Sequence, residues 1–449
     1  MKRFILIIML IMAFTLAWGS GTPEAPEVEK TFTGTLTLGV WGGDRPAAFD
    51  RAGNKIDKDD MSNDLLYWRD VILPGFPYDV EIRNYAADST TIKLDADIAG
   101  GDAPDVYWDY LGRVNKYANS KFALPINLTF EELDDYMKSS LAPVMKDGEL
   151  YALPGTFWSA VMTVNKTLVE SVGMGHLLPA VDNMDRSWTI EEYLSIVDAV
   201  QDRYGMGYYG YVLFASGTGG DYWSSFGWMA SFGAKLYDNG KIVVGSDAGM
   251  DALNFMKFMH ESGIAMPGAA GLTYQENLAA MSKNNVVAAG NSSQRAKDPI
   301  ELADKSGFID AIIMEWPKAP GVDKAPIAIG PDAGMLFNTG DDPLRQEAAM
   351  ELLRYINSTK VQKLLCKVDS RFASRLSVGD IYTDDPTWII TTAIIQKNGV
   401  FDTGVGLEKY SEVRNSWPPT LQAIFAGEMS VAGAVSRFVT EGTAILEAE

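Results

Sequence analysis

The sequence predicts an α/β fold built on a mostly parallel, doubly wound sheet. Two segments with period-two alternation of apolar residues, "GTLTLGVW" at 34–41 and "YDVEIRN" at 78–84, are each followed by a polar loop and an amphipathic helix. This order of strand, loop and helix is typical of βαβ units. Because Cys366 is the single cysteine and no intrachain disulfide can form, packing must stabilise the chain.

The alternation of strands and helices continues along most of the chain. The predicted elements are the helices "DLLYWRDVIL" at 64–73 and "TTIKLDADIA" at 90–99, the strand "VYW" at 106–108, the helix "WTIEEYLSIVDAV" at 188–200, the strand "YGYVLF" at 209–214 and a mainly helical region from Pro343 onward. The Asp238-Asn239-Gly240 turn predicts a tight hairpin.

The first residues predict secretion. Lys2 and Arg3 precede an apolar run of about thirteen residues, "FILIIMLIMAFTL", which small residues follow. The run is shorter than the roughly 20 residues of a membrane span and has the pattern of a signal peptide. Residues 1–19 are therefore interpreted as a signal peptide, and 20–33, rich in Pro and Glu, as a disordered lead-in. The protein is expected to be secreted across the inner membrane, as a periplasmic or extracellular protein without stable membrane insertion.

Composition disfavours several classes of function. Removal of Lys2 and Arg3 changes the formal charge from -21 to -23, and such a field repels nucleic acid and anionic lipid. With only His176 and His260, there is little room for a serine triad or a histidine-rich zinc site. The acidic stretch "DKDDMSND" at 57–64 lacks the glycine and spacing of an EF-hand loop, which favours a solvated loop over a calcium site. No catalytic residue, metal site or cofactor is predicted.

Tryptophans lie at or near the ends of predicted strands. A flat ring can stack on the apolar face of a sugar while neighbouring Asp, Asn or Arg side chains bind its hydroxyls. For any one tryptophan a core position is as well founded, but ligands of open α/β sheets bind at strand ends, so the group predicts a carbohydrate site. These tryptophans are Trp41, Trp108, Trp158, Trp223 and Trp228.

Four segments together resemble a known family. They are "TTIKLDADIAGGDAPDVYWDYLGRVNKYANSKFALPINL" at 90–128, "LYALPGTFWSAVMTVNKTLVESVGM" at 150–174, "SWTIEEYLSIV" at 187–197 and "LQAIFAGEMSVAGAVSRFVTEGTAIL" at 421–446. Their order and spacing resemble the extracellular solute-binding proteins of bacterial ABC importers, family 1, the carbohydrate-binding group that is similar to maltose-binding protein. The resemblance covers nearly the whole mature chain.

The resemblance implies a periplasmic-binding-protein-like fold, with two doubly wound α/β lobes joined by a hinge and a ligand cleft between them. It implies lobe 1 at 34–154 plus 308–341 and lobe 2 at 155–307 plus 342–449, with chain crossings near 155, 308 and 342. Closure about the hinge is expected to bury the ligand.

The resemblance also implies ligand-binding residues in both lobes. The first loop falls on Trp41, Gly42, Gly43, Asp44 and Arg45; the other implied contacts are Trp108, Asp109, Trp158, Trp223, Trp228, Asn291, Ser292 and Ser293, with Asp332 and Arg371 as rim or cleft groups. Asp105, beside Pro104, is expected instead to stabilise its turn as an Asx-type cap. If Trp108 is a stacking face, Trp108→Ala should melt almost normally and bind sugar at least tenfold more weakly, as an interface anchor would.

The resemblance implies a monomeric, non-enzymatic receptor that captures a mono- or oligosaccharide and delivers it to the membrane permease of an ABC importer. Two alternatives stay open. A cationic ligand such as a polyamine is favoured by the acidity and by Asp44, Asp109 and Asp332, because aromatic cages also suit cations. A secreted glycoside hydrolase would pair aromatic rings with two carboxyl groups about 5–10 Å apart.

The N-terminal pattern makes a testable prediction. The secreted protein should begin near Ser20 and carry no lipid, because no cysteine follows the apolar run. Intact-mass measurement of secreted protein checks both points. A mass that includes a diacylglycerol group would contradict the prediction.

Overall fold

The computed structural model describes residues 31–41, 47, 65–85, 90–119, 122–180, 182–217, 219–292, 310–369, 371–381 and 386–448. The predicted signal peptide, the acidic stretch at 57–64 and most of the loop after residue 41 lie outside these ranges. Within them, every helix is either too short or too polar to cross a membrane.

Nine strands of the described residues form one sheet. These strands are β1 Thr35–Trp41, β2 Asp79–Tyr85, β3 Val106–Tyr110, β6 Ala152–Asn165, β7 Tyr209–Tyr211, β10 Val286–Ser292, β11 Ala311–Met314, β12 Ala328–Leu336 and β13 Phe372–Ala373. Their order in the sheet is β2-β1-β3-β12-β6-β10-β7, and β11 and β13 also pair with β6. Two small hairpins pair β4 Met145–Lys146 with β5 Glu149–Leu150, and β8 Tyr237–Asp238 with β9 Lys241–Ile242.

Helices cover the sheet. They are α1 Thr90–Ala99, α2 Leu111–Asn119, α3 Phe130–Asp134, α4 Lys138–Leu141, α5 Lys166–Ser171, α6 Ile190–Tyr204, α7 Phe226–Ser231, α8 Asp247–Glu261, α9 Tyr274–Met281, α10 Pro343–Ile356, α11 Thr359–Asp369, α12 Pro386–Asn398, α13 Tyr410–Asn415, α14 Trp417–Phe425 and α15 Val431–Glu447. Two short π-helical segments, which are wider than an α-helix and are called wider turns below, lie at Tyr67–Ile72 and Asp221–Ser225.

Several local predictions are confirmed. The predicted helix at 90–99 is α1, and the strand at 106–108 lies within β3. Helix α6 begins with a capping box in which Thr189 and Glu192 bind each other's backbone. In the β8–β9 hairpin Asn239 and Gly240 both have positive φ, as the tight turn requires. The helix predicted at 64–73 is reduced to the wider turn at Tyr67–Ile72 and one short turn after it.

The long strand β6 joins two hydrophobic cores. Its residues 152–154 pair with the end of β12 and its residues 157–160 pair with the start of β12, with an irregularity between Pro331 and Ala333. The first core contains β1, β3, the end of β12 and helices α10 and α11; the second contains the rest of β6, β7, β10, β11 and helices α6 to α8 and α12 to α15. The predicted two-lobed α/β class is confirmed.

The predicted lobe boundaries are wrong after residue 308. Strand β11 pairs with residues 162–165 of β6, and Ile312 lies in the second core, so this part of the chain is in lobe 2. Leu352 and Leu365, on α10 and α11, lie in the first core. The reason is that the chain crosses along β12 itself and returns only after α11.

Asp105 is structural, as predicted, but it binds distant groups instead of capping its own turn. Its buried carboxylate accepts the Thr37 amide of β1 at 2.8 Å and the Thr339 hydroxyl at 2.8 Å. It also receives two hydrogen bonds, of 2.6 and 2.7 Å, from the Arg345 guanidinium at the start of α10. One side chain therefore connects β3, β1, the segment after β12 and α10.

We expect Asp105→Asn to lower the free energy of unfolding by about 3 kcal/mol, because Arg345 and two further donors lose a buried anionic acceptor. Asp102→Asn is the matched control in the same loop, since the Asp102 side chain is 73% exposed and pairs with Arg83 at the surface. Chemical denaturation of both variants measures the difference. Equal stability of the two variants would contradict the role of Asp105.

Candidate functional site

Strand register brings two cross-strand pairs into one band across the sheet. Asp332 of β12 lies opposite Tyr110 at the end of β3, and Gly330 lies opposite Trp158 of β6. This band coincides with the irregularity of β12, where the chain passes from one core to the other. On the far side of β6, the backbones of residues 291 and 292 pair with 161 and 160. We call this region the joint.

Four aromatic rings form a continuous row beside the joint. The ring centroid of Trp158 lies 4.5 Å from that of Trp223 and 4.9 Å from that of Tyr222, and Trp223 stacks on Tyr274 at 4.5 Å. Trp223 therefore has Trp158 on one side and Tyr274 on the other. The order of the rings is therefore Tyr222, Trp158, Trp223 and Tyr274, and we call these four the aromatic row. Trp158, Trp223 and Tyr274 are only partly buried, so the row is partly exposed.

Trp158 lies close against the sheet because its cross-strand neighbour, Gly330, has no side chain. A Cβ atom at Gly330 would collide with the indole ring. Because Gly330 is the cross-strand partner of Trp158, the ring lies directly over the β12 backbone. The position of the ring thus depends on both strands that cross between the lobes.

Asp332 and Arg371 form an ion pair at the joint. The Arg371 guanidinium donates to the Asp332 carboxylate at 2.5 Å, and each side chain is 11% exposed. Arg371 reaches β12 because β13, which follows it directly, pairs with Phe157 and Thr156 of β6. The next ring, Phe372, stacks on Phe157 with centroids 5.2 Å apart.

Three tyrosine hydroxyls meet where the cores touch. The hydroxyl of Tyr110 lies 2.6 Å from that of Tyr222 and 2.8 Å from that of Tyr410, and the last two are 3.1 Å apart. Tyr222 also donates to the Thr403 hydroxyl at 3.0 Å. We call Tyr110, Tyr222 and Tyr410 the tyrosine trio. Burial raises the pKa of all three, so they are neutral hydrogen-bonding groups at neutral pH.

A second ion pair, between partly exposed Arg414 and buried Asp221, supports the trio. Arg414 binds both oxygens of Asp221, at 2.5 and 3.1 Å, and its guanidinium lies 5.2 to 6.0 Å from the centroids of the three tyrosine rings. Burial acts to lower the pKa of Arg414, but the neighbouring Asp221 carboxylate and tyrosines raise it above its usual value. Arg414 is therefore a permanent cation inside an aromatic and acidic cage.

The family model for bacterial extracellular solute-binding proteins matches residues 75–392, more than half of the chain. The chain belongs to this family. The family is extracellular, in agreement with the predicted location outside the cytoplasm. No curated protein sequence matches the chain significantly.

Solved structures of solute-binding proteins share the fold of this solute-binding protein. The GacH receptor of Streptomyces glaucescens, described without ligand and with acarbose, is 16% identical and superposes with a TM-score of 0.70 over 93% of this chain and 99% of its own. A Thermotoga lettingae protein bound to α-D-tagatose is 19% identical, with a TM-score of 0.70 over 92% and 99%. A Listeria monocytogenes protein in complex with cycloalternan is 13% identical, with a TM-score of 0.69 over 93% and 100%.

The joint of this solute-binding protein brings together some of the predicted ligand-binding residues. Trp158, Trp223, Asp332 and Arg371 all lie there. Trp41 ends β1, 37% exposed and two strands from β12. The backbones of Asn291 and Ser292 end β10 beside β6, while Gly42, Gly43, Asp44, Arg45 and Ser293 lie outside the described residues.

Trp108 is a core residue, so the prediction that it stacks on a ligand is wrong. Its side chain is only 7% exposed and packs edge-on against Trp68, with ring centroids 5.9 Å apart. Gly334 of β12 and Gly155 of β6 leave room for the ring, and a side chain at Gly155 would collide with it. The ring lies in the first core together with Leu352 and Leu353 of α10.

Asp109 and Trp228 are also wrong as ligand contacts. Asp109 is 1% exposed, and its carboxylate accepts the Tyr107 hydroxyl at 2.7 Å and the Tyr110 amide, so it stabilises the end of β3. Trp228 is fully buried in the second core, where the surrounding rings are Tyr193, Tyr211, Phe255 and Trp316.

The sequence reasoning missed five residues of the site. Tyr222 adjoins Trp223 in "GGDYW", so its proximity to a predicted contact was a usable signal. Tyr274 follows the Thr273 cap and is the first residue of α9. No local pattern marks Tyr110, Tyr410 or Arg414, because their partners are distant in sequence. Within the described ranges, no cluster of three or more acidic, His or Cys side chains could hold a metal ion.

The revised positions change the expected behaviour of the tryptophan variants. Trp108→Ala and Trp228→Ala each remove a buried ring and should lower the free energy of unfolding by about 3–5 kcal/mol. Trp158→Ala is the comparison, since its ring is only partly buried and should cost less. Thermal melting of the three ligand-free variants ranks their stabilities. A Trp108→Ala protein that melts like the wild type would contradict the core assignment.

Proposed function

We propose that this solute-binding protein captures a neutral mono- or oligosaccharide between its two lobes and delivers it to the permease of an ABC importer, without catalysis. The observation that carries the proposal is the partly exposed aromatic row at the joint, because a sugar bound there would contact strands that belong to both lobes. Trp158 is the proposed stacking face, with Asp332 and Arg371 as hydrogen-bonding groups. Trp41, Asn291 and Ser292, at the ends of β1 and β10, stay as proposed contacts. Asp44 and Arg45, which lie outside the described residues, also stay proposed.

The carbohydrate class has independent support. Four of the similar structures are of solute-binding proteins in complex with acarbose, tagatose, maltotetraose and cycloalternan. Their identity to this chain is below 20%, so they support the fold directly and the ligand class only by analogy.

The charge pattern at the joint favours a neutral ligand over a polyamine. Asp221 is bound to Arg414 and Asp332 to Arg371, while Asp109 is enclosed by hydrogen bonds within β3. Each of these acids is therefore already neutralised or occupied by the protein's own groups.

The same pairs disfavour glycoside hydrolysis. That reaction requires one carboxyl group that donates a proton and a second that acts as nucleophile or base. Asp221 and Asp332 are each bound to an arginine instead, so neither is placed to donate a proton to a glycosidic oxygen.

Isothermal titration calorimetry tests the proposal directly. Purified mature protein should bind at least one sugar from a panel that includes tagatose, maltose, maltotetraose and cycloalternan. Trp158→Ala should weaken that binding by about 2–4 kcal/mol, or roughly 30- to 700-fold, because a stacking face is lost. Trp158→Phe is the matched control, since it keeps an aromatic face and should lose less.

Two outcomes would contradict the proposal. Tight binding of spermidine or putrescine with no binding of sugars would favour the cationic ligand, and release of nitrophenol from nitrophenyl glycosides by the pure protein would favour the hydrolase. Unchanged sugar affinity in a well-folded Trp158→Ala variant would remove this ring from the site.

A further inference from the structure

Tyr110 belongs to one lobe by chain position and to the other by packing. It ends β3, whose neighbours Val106, Tyr107 and Trp108 lie in the first core. The Tyr110 side chain instead lies in the second core and is 6% exposed. It therefore crosses the boundary between the two lobes.

The partners of Tyr110 are held firmly on the second lobe. Tyr222 lies in the wider turn at 221–225 and Tyr410 begins α13; their hydroxyls bond each other as well as Tyr110. The bidentate pair of Arg414 with Asp221 connects the same two segments. The two segments of lobe 2 that bind Tyr110 are thus also held to each other by bonds that do not involve Tyr110.

A second hydrogen bond crosses at the same place. The Ser411 hydroxyl of α13 donates to the Gly112 carbonyl at the start of α2. A side chain at Gly112 would collide with the rings of Tyr110 and Tyr410, so glycine permits the close approach. Two elements of lobe 1, β3 and α2, therefore form neighbouring hydrogen bonds with α13 of lobe 2.

These bonds suit a reversible contact. Each hydroxyl exchanges protein partners for water when the lobes separate, so each bond contributes modestly to the closed state. A closed state that exists without ligand would raise affinity, because less of the binding free energy is spent on closure.

We propose that the tyrosine trio is an interlobe latch that keeps the lobes in contact when no ligand is bound, with Tyr110 as its movable member. Tyr110 is a positioning residue for closure and does not itself contact the solute. The consequence for solute affinity rests on the proposed sugar-binding function, but the closure of the ligand-free protein does not.

Small-angle X-ray scattering of the ligand-free mature protein tests the latch. The protein is first unfolded and refolded to remove any co-purified solute. The wild type should have the radius of gyration calculated from this structure, and Tyr110→Phe, which loses only the hydroxyl, should have a larger one. A wild type already more extended than this structure, or a Tyr110→Phe variant with an unchanged radius, would overturn the proposal.

Tyr117→Phe is the matched control. It removes a tyrosine hydroxyl bonded to Asp95 at 2.8 Å, and both residues belong to lobe 1. Its melting temperature should fall while its radius of gyration stays that of the wild type. An increase equal to that of Tyr110→Phe would mean that any lost hydroxyl loosens the protein, and would overturn the latch.

Ser411→Ala keeps the test decisive if Tyr110→Phe does not fold. It removes the hydrogen bond from Ser411 to Gly112 and should also enlarge the ligand-free protein; an unchanged radius would count against the latch. Sugar titration forms a separate arm, in which Tyr110→Phe should bind about tenfold more weakly, the effect expected for two hydroxyl bonds. If no sugar binds even the wild type, the proposed function fails, while the scattering result still decides the latch.

Discussion

The two lobes depend on one interaction, the antiparallel pairing of β6 with β12. Strand β6 is 14 residues long, and β12 pairs with it on both sides of the irregularity between Pro331 and Ala333. Backbone hydrogen bonds therefore continue from one hydrophobic core into the other. An irregularity of this kind bends a strand locally and increases its twist, so it is a natural place for two lobes to meet at an angle.

The residues of the candidate site take their positions from this pair of strands. Trp158 lies over Gly330, Asp332 lies opposite Tyr110, and Arg371 arrives because β13 pairs with β6. The chain is strongly acidic, yet the two acids beside the aromatic row are each matched by an arginine. Buried ion pairs contribute little net stability, but their geometry specifies how the surrounding elements fit together. Within the described residues, the acids Asp221 and Asp332 are thus neutralised by the protein's own arginines.

Sequence reasoning located the site only in part, for a physical reason. Trp158 and Trp108 are both strand residues followed or preceded by turns, and both sheet faces of an α/β protein are covered. Whether such a ring faces a cleft or the core depends on what packs against it. For Trp108 it is Trp68, from a distant turn, and for Trp158 it is the aromatic row. Periodicity along one strand contains no information about these partners.

The sequence by itself determined the α/β class and the local elements with clear caps and turns, such as α6 and the β8–β9 hairpin. These follow from interactions between near neighbours. It also predicted that Asp105 is structural, but the distant partners of that carboxylate were decided by the tertiary structure. Only the tertiary structure decided which segments share a lobe and that Tyr110 meets Tyr222 and Tyr410, 112 and 300 residues away. Such contacts depend on strand order and on where the chain crosses between cores, and local propensity is insensitive to both.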